Sequence, residues 1–434
     1  MQLRQTSEYL TQENIISLKV SSDVESNFQS PQTRIVLVID ISGSMNTQVV
    51  SKSQDGDVET GGFNQLDLVK HSSYTILENL RPEDSIAVVA FTTNARIEVP
   101  LTLATPENKK KIKDKITSLR PEASTNLWDG LYKGMELLKN NPSQCTNDAI
   151  FLLTDGMPNV FPPRGHIPTL KDYLDQNPLN FTISTFGFGY SLDSLLLKEI
   201  AVLGNGHYGF IPDGNFVGTI FVNAMANLLT VVARNLTLSL TFADDDQPDL
   251  LDFPYPYTRT SWGYQVQLGS YRYGQERLIV IPFQKGSKEE HYIQANLHYH
   301  TFDSPDEKED IHFGVNDIET SQEGVFHNFR QKMVDLLGRL ATNSNLQEDQ
   351  HGIQRLLREM THSRFKEDSL LQGLITDLSG QVTEACSRSD WYDRWGKHYM
   401  RSLHDAHLYQ HCNNFKDQGV SNYGGLNFKL FKNN

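Results

Sequence analysis

One carboxylate and two hydroxyl groups follow an apolar segment near the start of the chain. Segment 35–40 reads IVLVID, and Ser42 and Ser44 come two and four residues after Asp40. This spacing places three hard oxygen donors around one tight turn, and such donors favour Mg²⁺, Mn²⁺ or Ca²⁺ over zinc. The pattern therefore predicts a divalent cation site. The alternative is that Asp and Ser act here only as turn and helix-capping residues.

Two later segments offer matching donors. Thr125 lies in the sequence Ser-Thr-Asn, directly before a predicted helix. Asp155 lies in the sequence Thr-Asp-Gly, directly after another apolar segment, AIFLLT. If the three segments converge, Asp40, Ser42, Ser44, Thr125 and Asp155 would surround one cation.

Strand and helix patterns alternate over about 200 residues, and this alternation would bring the donors together. Buried strands are predicted at 35–40, 85–91, 149–154, 181–189 and 207–211, and helices at 66–80, 106–119, 126–139, 192–203 and 217–234. The order predicts an α/β fold with a doubly wound, mainly parallel sheet. Ligands of such sheets bind beyond the carboxyl ends of the strands, where these polar residues stand.

The second half of the chain has a different pattern. Period-two alternation, with Gly, Pro and Asp between the segments, predicts an antiparallel, sandwich-like β module over 235–310. Helical spacing predicts a helical region with a tail over 311–434. Segment 35–234 is then the α/β domain, and 1–34 is an N-terminal strand with a polar lead-in.

Composition restricts the partners and the compartment. The 434 residues include 39 Lys and Arg against 53 Asp and Glu, a net charge of −14, which argues against nucleic acid as the partner. The three cysteines argue against a disulfide framework and favour a reducing compartment. No apolar run has the length of a membrane span, and no signal peptide is recognisable. We expect a cytoplasmic protein.

The three donor motifs together resemble the metal-ion-dependent adhesion site of von Willebrand factor type A domains, in the family's order and on the expected elements. The resemblance implies that Ser42, Ser44 and Thr125 bind Mg²⁺ through their hydroxyl groups. It implies that Asp40 and Asp155 bind directly or through water. The remaining coordination position would be filled by water or by an Asp or Glu of a protein partner.

Longer stretches resemble an intracellular subgroup of that family. Segments 64–71, 124–131 and 185–190 look like its type A domain, and 268–283 and 391–425 look like its companion domain, called Vwaint. The resemblance covers nearly the whole chain. In this subgroup a Hint domain often follows, but no autoprocessing cysteine arrangement is evident, so no Hint domain and no self-splicing are expected.

The leading functional prediction is a non-enzymatic, divalent-metal-dependent protein interaction module. One alternative is a constitutive subunit of a larger assembly, in which the metal only clamps the fold. A metal-dependent hydrolase is less favoured, because Asp40 and Asp155 are both used as ligands and no general base remains. No nucleophile elbow, phosphate-binding loop or zinc protease motif is present. No catalytic residue and no organic cofactor are therefore predicted.

Two further features have open interpretations. Segments 46–62 and 157–169 are predicted as long loops beside the cation site, where they would either select a partner or merely tolerate insertions. His404, His407 and His411 fall on one face of a predicted helix. Three imidazoles on one face can bind zinc, but a polar and aromatic packing face is the favoured interpretation.

Overall fold

A computed structural model describes most of the chain. The described residues are 3–10, 15–22, 30–52, 58–122, 124–143, 145–178, 180–242, 253–282, 293–302, 307–313, 322–342, 345–413 and 416–424. They divide into two compact units. The first unit consists of Pro31–Leu229 and Lys397–Ser402, and the second consists of Met1–Ser30, Thr230–Gly396 and Leu403–Asn434. In sequence, the first unit is therefore inserted into the second.

The first unit contains a six-stranded sheet. In spatial order its strands are Asn205–Ile211, Phe181–Phe188, Thr146–Thr154, Gln32–Asp40, Ser85–Phe91 and Ala95–Leu103. All neighbours are parallel except the last pair, which is antiparallel. Eight of the nine residues of the strand Gln32–Asp40 are buried, as expected for a central strand covered on both faces. The predicted α/β fold with a mainly parallel sheet is confirmed.

Six helices of the first unit connect and flank these strands. They are Gln65–Asn79, Pro106–Ser118, Leu127–Lys139, His166–Gln176, Ser194–Leu203 and Val217–Leu229. Asn64 begins the first of them with a capping box, in which its side chain and that of Asp67 each accept a backbone N–H of the other residue. Gly134 lets one helix approach the sheet closely, because a Cβ atom there would lie 2.8 Å from Val38 Cγ2.

The strand order creates a switch point beside the strand Gln32–Asp40. The next strand of this sheet along the chain, Ser85–Phe91, lies on one side of it, and Thr146–Thr154 lies on the other. The connections leave these strands in opposite directions, so their carboxyl ends border an open crevice. Asp40 ends one of these strands, and Asp155 directly follows the other.

The first unit differs from the sequence-based expectation in several connections. The predicted loop 46–62 contains the strand Gln48–Lys52 and most of its partner Val58–Asn64. The predicted loop 157–169 contains the start of the helix His166–Gln176. The edge strand Ala95–Leu103 was not predicted. These elements have polar or mixed sequences, so their hydrophobic periodicity is weak, and tertiary contacts decide their conformation.

The second unit contains two antiparallel sheets. One has the strand order Tyr257–Arg259, Gly263–Arg272, Val231–Phe242, Ile293–Thr301 and Glu307–Phe313, and the other has the order Leu3–Leu10, Ile15–Ser22 and Arg277–Pro282. Apolar residues of both sheets, including Leu18, Leu238 and Ile279, belong to one buried cluster. The antiparallel β module is thus confirmed. The predicted polar lead-in contains the strand Leu3–Leu10, and the expected helix 217–234 ends at Leu229.

The helical region of the second unit follows the predicted pattern. Its longer helices are Gln322–Leu340, Leu346–Thr361 and Ser369–Asp377. Lys397–Tyr409 is a further helix, and only its residues from 403 onward belong to this unit. Short helices lie at Thr383–Ala385, Ser389–Trp391 and Gln418–Ser421, with π-helical turns at Leu378–Val382 and Tyr392–Gly396. None of the described helices has the length and apolar character that crossing a membrane requires.

The histidines of the last long helix have protein partners. Buried His407 lies with Nδ1 2.7 Å from the hydroxyl oxygen of Tyr423 and with Nε2 3.4 Å from Asp377 Oδ2. His404 Nδ1 lies 3.1 Å from Asp405 Oδ1. Within the described ranges, no group of three or more His, Cys, Asp or Glu side chains is arranged to hold a metal. The contacts of His404 and His407 are those of a packing face.

Gly206 provides a test of the sheet packing. An added Cβ atom would lie 2.1 Å from the carbonyl oxygen of Ile183 on the neighbouring strand. We expect Gly206→Ala to lower the free energy of unfolding of the first unit by about 1–3 kcal/mol, because backbone must move to accept the methyl group. Calorimetric unfolding would measure the change.

Gly218→Ala is the matched control for that substitution. A Cβ atom at Gly218, in the helix Val217–Leu229, would have no atom within 4 Å. Its effect should be neutral or stabilising by up to about 1 kcal/mol, since alanine favours the helix. Equal destabilisation by the two substitutions would contradict the packing described here.

Candidate functional site

The first site segment is the turn after the strand Gln32–Asp40. The strand ends at Asp40, and a short 3₁₀-helix over Gly43–Asn46 reverses the chain. Asp40 Oδ1 accepts a hydrogen bond from the backbone N–H of Ser42 at 2.8 Å. The hydroxyl oxygens of Ser42 and Ser44 lie 3.0 Å apart. The predicted spacing thus brings one carboxylate and two hydroxyl groups together.

The second site segment follows the strand Thr146–Thr154. The hydroxyl group of Thr154 donates to Asp40 Oδ2 at 2.5 Å and accepts the N–H of Gly156 at 2.8 Å. This pair of bonds fixes the carboxylate of Asp40 against the neighbouring strand end. Asp155 comes next, and its carboxylate accepts hydrogen bonds from the Ser44 hydroxyl group and the N–H of Met157.

The two carboxylates have unfavourable surroundings for negative charge. Asp40 is fully buried, and burial together with the nearby charge of Asp155 raises the pKa of Asp40 to about 7. Burial also raises the pKa of Asp155, although hydrogen bonds from Ser44 and Met157 oppose this effect. Asp155 Oδ1 is buried and accepts no hydrogen bond from the described part of the chain.

The third site segment contains Thr125. Its backbone N–H donates to the side-chain oxygen of Asn159 at 2.9 Å, and its carbonyl oxygen accepts the N–H groups of Asn159 and Val160 at 3.1 and 3.2 Å. The next residue, Asn126, donates its N–H to the carbonyl oxygen of Thr92 at 2.7 Å. Thr125 is therefore held between two loops at the carboxyl edge of the sheet.

The structure connects four of the five predicted residues directly. Hydrogen bonds or short contacts link Asp40, Ser42, Ser44 and Asp155 into one cluster. Thr125 makes no hydrogen bond to these four among the described residues, and it reaches the site through the loop that begins at Asp155.

Two residues that the sequence did not assign support the site. Thr154 fixes Asp40, and Asn159 connects the Asp155 loop to Thr125. Thr154 lies within the quoted Thr-Asp-Gly motif, so its position was a usable signal. Asn159 lies in a segment without periodicity, and nothing in its sequence surroundings distinguishes it.

The donor set fits a hard divalent cation. Two carboxylates and the hydroxyl groups of Ser42 and Ser44 are all oxygen donors, which suit Mg²⁺, Mn²⁺ or Ca²⁺. A cation would also supply the missing partner of Asp155 Oδ1 and remove the repulsion between the carboxylates. The arrangement would hold such an ion at the crevice between the two strand ends.

The fold is that of an α/β domain with polar residues at the carboxyl ends of its strands, the edge at which domains of this class bind their ligands. Comparison with protein families identifies the kind of domain. Residues 35–157 match the model of the von Willebrand factor type A domain, and residues 368–434 match the model described as VWA / Hh protein intein-like, or Vwaint. The chain thus carries a type A domain and the Vwaint companion region, as the motifs predicted, and no Hint domain is evident in it.

Three curated relatives match between 40% and 53% of this chain. The Escherichia coli K12 protein YfbK is 26% identical over 234 residues, 53% of this chain and 37% of YfbK. Mouse inter-alpha-trypsin inhibitor heavy chain H3 is 28% identical over 184 residues, 40% of this chain and 18% of that protein. The probable E3 ubiquitin-protein ligase WAVH2 of Arabidopsis thaliana is 23% identical over 52% of this chain and 31% of its own length. The chain spans less than two fifths of each relative.

Solved structures share the fold over a larger part of the chain. A von Willebrand factor type A protein from Catenulispora acidiphila has a TM-score of 0.60 and 14% identity, covering 87% of this chain and 88% of its own. The ArnB paralog VWA2 from Sulfolobus acidocaldarius has a TM-score of 0.53 and 16% identity, covering 92% and 98%. At such identities the likeness is one of fold alone.

The buried carboxylates lead to a prediction about the metal-free protein. The raised pKa of Asp40, about 7, means that between pH 4 and pH 7 the folded state binds more protons than the unfolded state. Stability should therefore fall as the pH rises through this window. In EDTA at pH 8, we expect Asp40→Asn to be more stable than the wild type by about 1–3 kcal/mol.

Urea unfolding at several pH values would measure this difference. The advantage of Asp40→Asn should shrink towards pH 5, where the wild-type carboxyl group is protonated in the folded state. A constant difference between pH 5 and pH 8, or a less stable variant at pH 8, would contradict the electrostatic account of the site.

Proposed function

We propose that this chain is a non-enzymatic protein interaction module whose type A domain binds Mg²⁺, with Mn²⁺ or Ca²⁺ as substitutes. The observation that carries the proposal is the convergence of Asp40, Ser42, Ser44 and Asp155 at the switch point, with a buried oxygen of Asp155 that lacks a donor. Thr125 is proposed as a further hydroxyl ligand from the neighbouring loop.

The donor set also indicates what completes the coordination shell. Both oxygens of Asp40 already accept hydrogen bonds, so this carboxylate would act mainly through water. Mg²⁺ prefers six oxygen ligands and gives up its water reluctantly. An ion held largely by neutral hydroxyl groups would keep an exchangeable position, and an Asp or Glu side chain of a protein partner would occupy it.

The arrangement offers little to a hydrolase. A Lewis-acid mechanism needs a base that takes a proton from water. Asp155 would serve as a ligand, and both oxygens of Asp40 already accept hydrogen bonds from the protein. No histidine belongs to the described contacts of the site. The inhibitor heavy chain among the relatives agrees with a binding role, whereas the ligase name belongs to a protein of which only 31% is matched.

The compartment and the excluded partners form part of the same proposal. The net charge of −14 disfavours nucleic acid, and no disulfide bond joins the three cysteines within the part of the chain that the structure describes. We therefore place the interaction in the cytoplasm, with a protein as the partner.

Metal binding can be tested separately from partner binding. Titration calorimetry should show that the wild-type protein binds Mn²⁺ and Mg²⁺ and that Asp155→Ala does not, because this substitution removes a ligand carboxylate. Asp175→Ala is the matched control, since Asp175 is an exposed acid in the helix His166–Gln176 of the same unit. Capture of partner proteins should then require Mg²⁺, and EDTA or Asp155→Ala should abolish it.

Two results would contradict the proposal. One is the absence of heat and of thermal stabilisation in millimolar Mg²⁺ and Mn²⁺. The other is partner capture that is unchanged by EDTA and by Asp155→Ala, which would favour a constitutive subunit whose metal only clamps the fold.

A further inference from the structure

Four large apolar side chains are exposed on the segments that border the candidate site. They are Phe63, Met157, Phe161 and Leu195, with exposed fractions of 60%, 55%, 62% and 46%. We call this set the apolar collar. Single exposed apolar residues are common and need no explanation, but several around one point mark an interaction surface. Hydrogen bonds of the described residues show where each member lies.

Phe63 is connected to the turn that carries Ser44. The side-chain amide of Asn64 donates to Asn46 Oδ1 at 3.2 Å, and the N–H of Gln65 donates to the carbonyl oxygen of Thr47 at 3.0 Å. These contacts fix the end of the strand Val58–Asn64 against Asn46, the last residue of the 3₁₀-helix, and against Thr47, which follows it. Phe63 therefore stands beside the hydroxyl side of the site.

Met157 and Phe161 belong to the loop that begins at Asp155. The N–H of Met157 donates to the carboxylate of Asp155, and the N–H of Val160, the residue before Phe161, donates to the carbonyl oxygen of Thr125. Both side chains are thus tied to site residues through adjacent backbone. They lie on the carboxylate and threonine side.

Leu195 approaches from a further segment. The N–H of Asp193, two residues before Leu195, donates to the carbonyl oxygen of Gly156 at 3.0 Å, and Gly156 directly follows Asp155. Three separate chain segments that border one polar centre therefore each carry exposed apolar side chains. None of the four collar side chains carries a charge.

We propose that the site recognises a single Asp or Glu flanked by large apolar side chains in a partner segment, and that an acidic run is disfavoured. This inference rests on the proposed function, because the acidic residue binds the ion. The reason lies in the combination of centre and rim. The cation would attract one carboxylate, whereas neighbouring acidic residues would lose water against the apolar collar and gain no counter-charge from it. Apolar neighbours would instead bury the collar.

Synthetic peptides would test this specificity. Four labelled peptides of equal length would carry Glu between Phe and Leu, Glu between serines, Glu within a run of Glu, and Gln between Phe and Leu. Fluorescence polarisation with the full chain in Mg²⁺ should show the Phe-Glu-Leu peptide binding at least about tenfold more tightly than the other three. EDTA should abolish its binding.

Variants of the apolar collar distinguish its contribution to peptide binding from the contribution of the ion. Phe161→Ser and Phe63→Ser should each weaken the Phe-Glu-Leu peptide by about five- to tenfold and leave the serine-flanked peptide and Mn²⁺ binding unchanged. Leu103→Ser is the matched control, because Leu103 is 48% exposed in the same unit. Leu103 pairs with Ser85, the first residue of a parallel strand, so it lies at the end of the sheet opposite to the candidate site. This control should bind all four peptides like the wild type.

Each alternative result has a distinct meaning. Equal affinity for the apolar-flanked and serine-flanked Glu peptides, tighter binding of the acidic run, or collar variants that behave like Leu103→Ser would overturn the inference and leave the proposed function intact. Undiminished binding of the Gln peptide, or binding that survives EDTA, would overturn the proposed function and this inference with it. If no peptide binds and Mn²⁺ does not bind either, the proposed function and this inference are both overturned. If no peptide binds although Mn²⁺ does, only the collar inference is overturned.

Discussion

Two carboxylates at the ends of neighbouring strands, Asp40 and Asp155, are buried at one edge of the sheet, and their interaction is the one on which the site depends. Burial and mutual repulsion both disfavour their ionised forms. Each neighbouring contact reduces this cost in part, since the Ser42 N–H and the Thr154 hydroxyl group donate to one carboxylate and Ser44 donates to the other. A divalent cation would offset the remaining cost of burying two negative charges close together.

The sheet explains why the two acids meet. Parallel pairing sets Ile39 beside Leu153, so that the two strands end at the same level. The crossover connections then leave in opposite directions, which keeps the space beyond the strand ends free of their own chain. A parallel order without the switch would place a connection over this edge. The site is therefore a consequence of topology, and the local motifs only supply its donors.

Local spacing was sufficient to predict the parts of the site that follow a strand directly. Asp40, Ser42 and Ser44 occupy a single turn. Asp155 directly follows an apolar segment that is recognisable from the sequence as a buried strand. Asn159 was not predictable, because its role arises from a contact with Thr125, 34 residues away in the sequence. Although the strand Ile15–Ser22 was itself predicted, the same limit applies to it. Its pairing with Arg277–Pro282 across the inserted first unit has no local signal.

The chain also buries a cationic side chain whose guanidinium is hydrogen-bonded by the protein itself. In the second unit, buried Arg330 donates from all three of its nitrogens, to His327 Nδ1 at 3.0 Å and to the carbonyl oxygens of His407 and Leu278 at 2.7 and 2.8 Å. Such a guanidinium is satisfied within its own unit, so it needs nothing from outside, and its role is structural.

In the first unit, by contrast, Asp155 retains a buried oxygen without a donor, beside hydroxyl groups that can turn towards a cation. Asp349 in the second unit likewise has a buried carboxylate oxygen without a hydrogen bond among the described residues. What sets Asp155 apart is therefore its combination with a second buried carboxylate, Asp40, and with two adjacent hydroxyl groups.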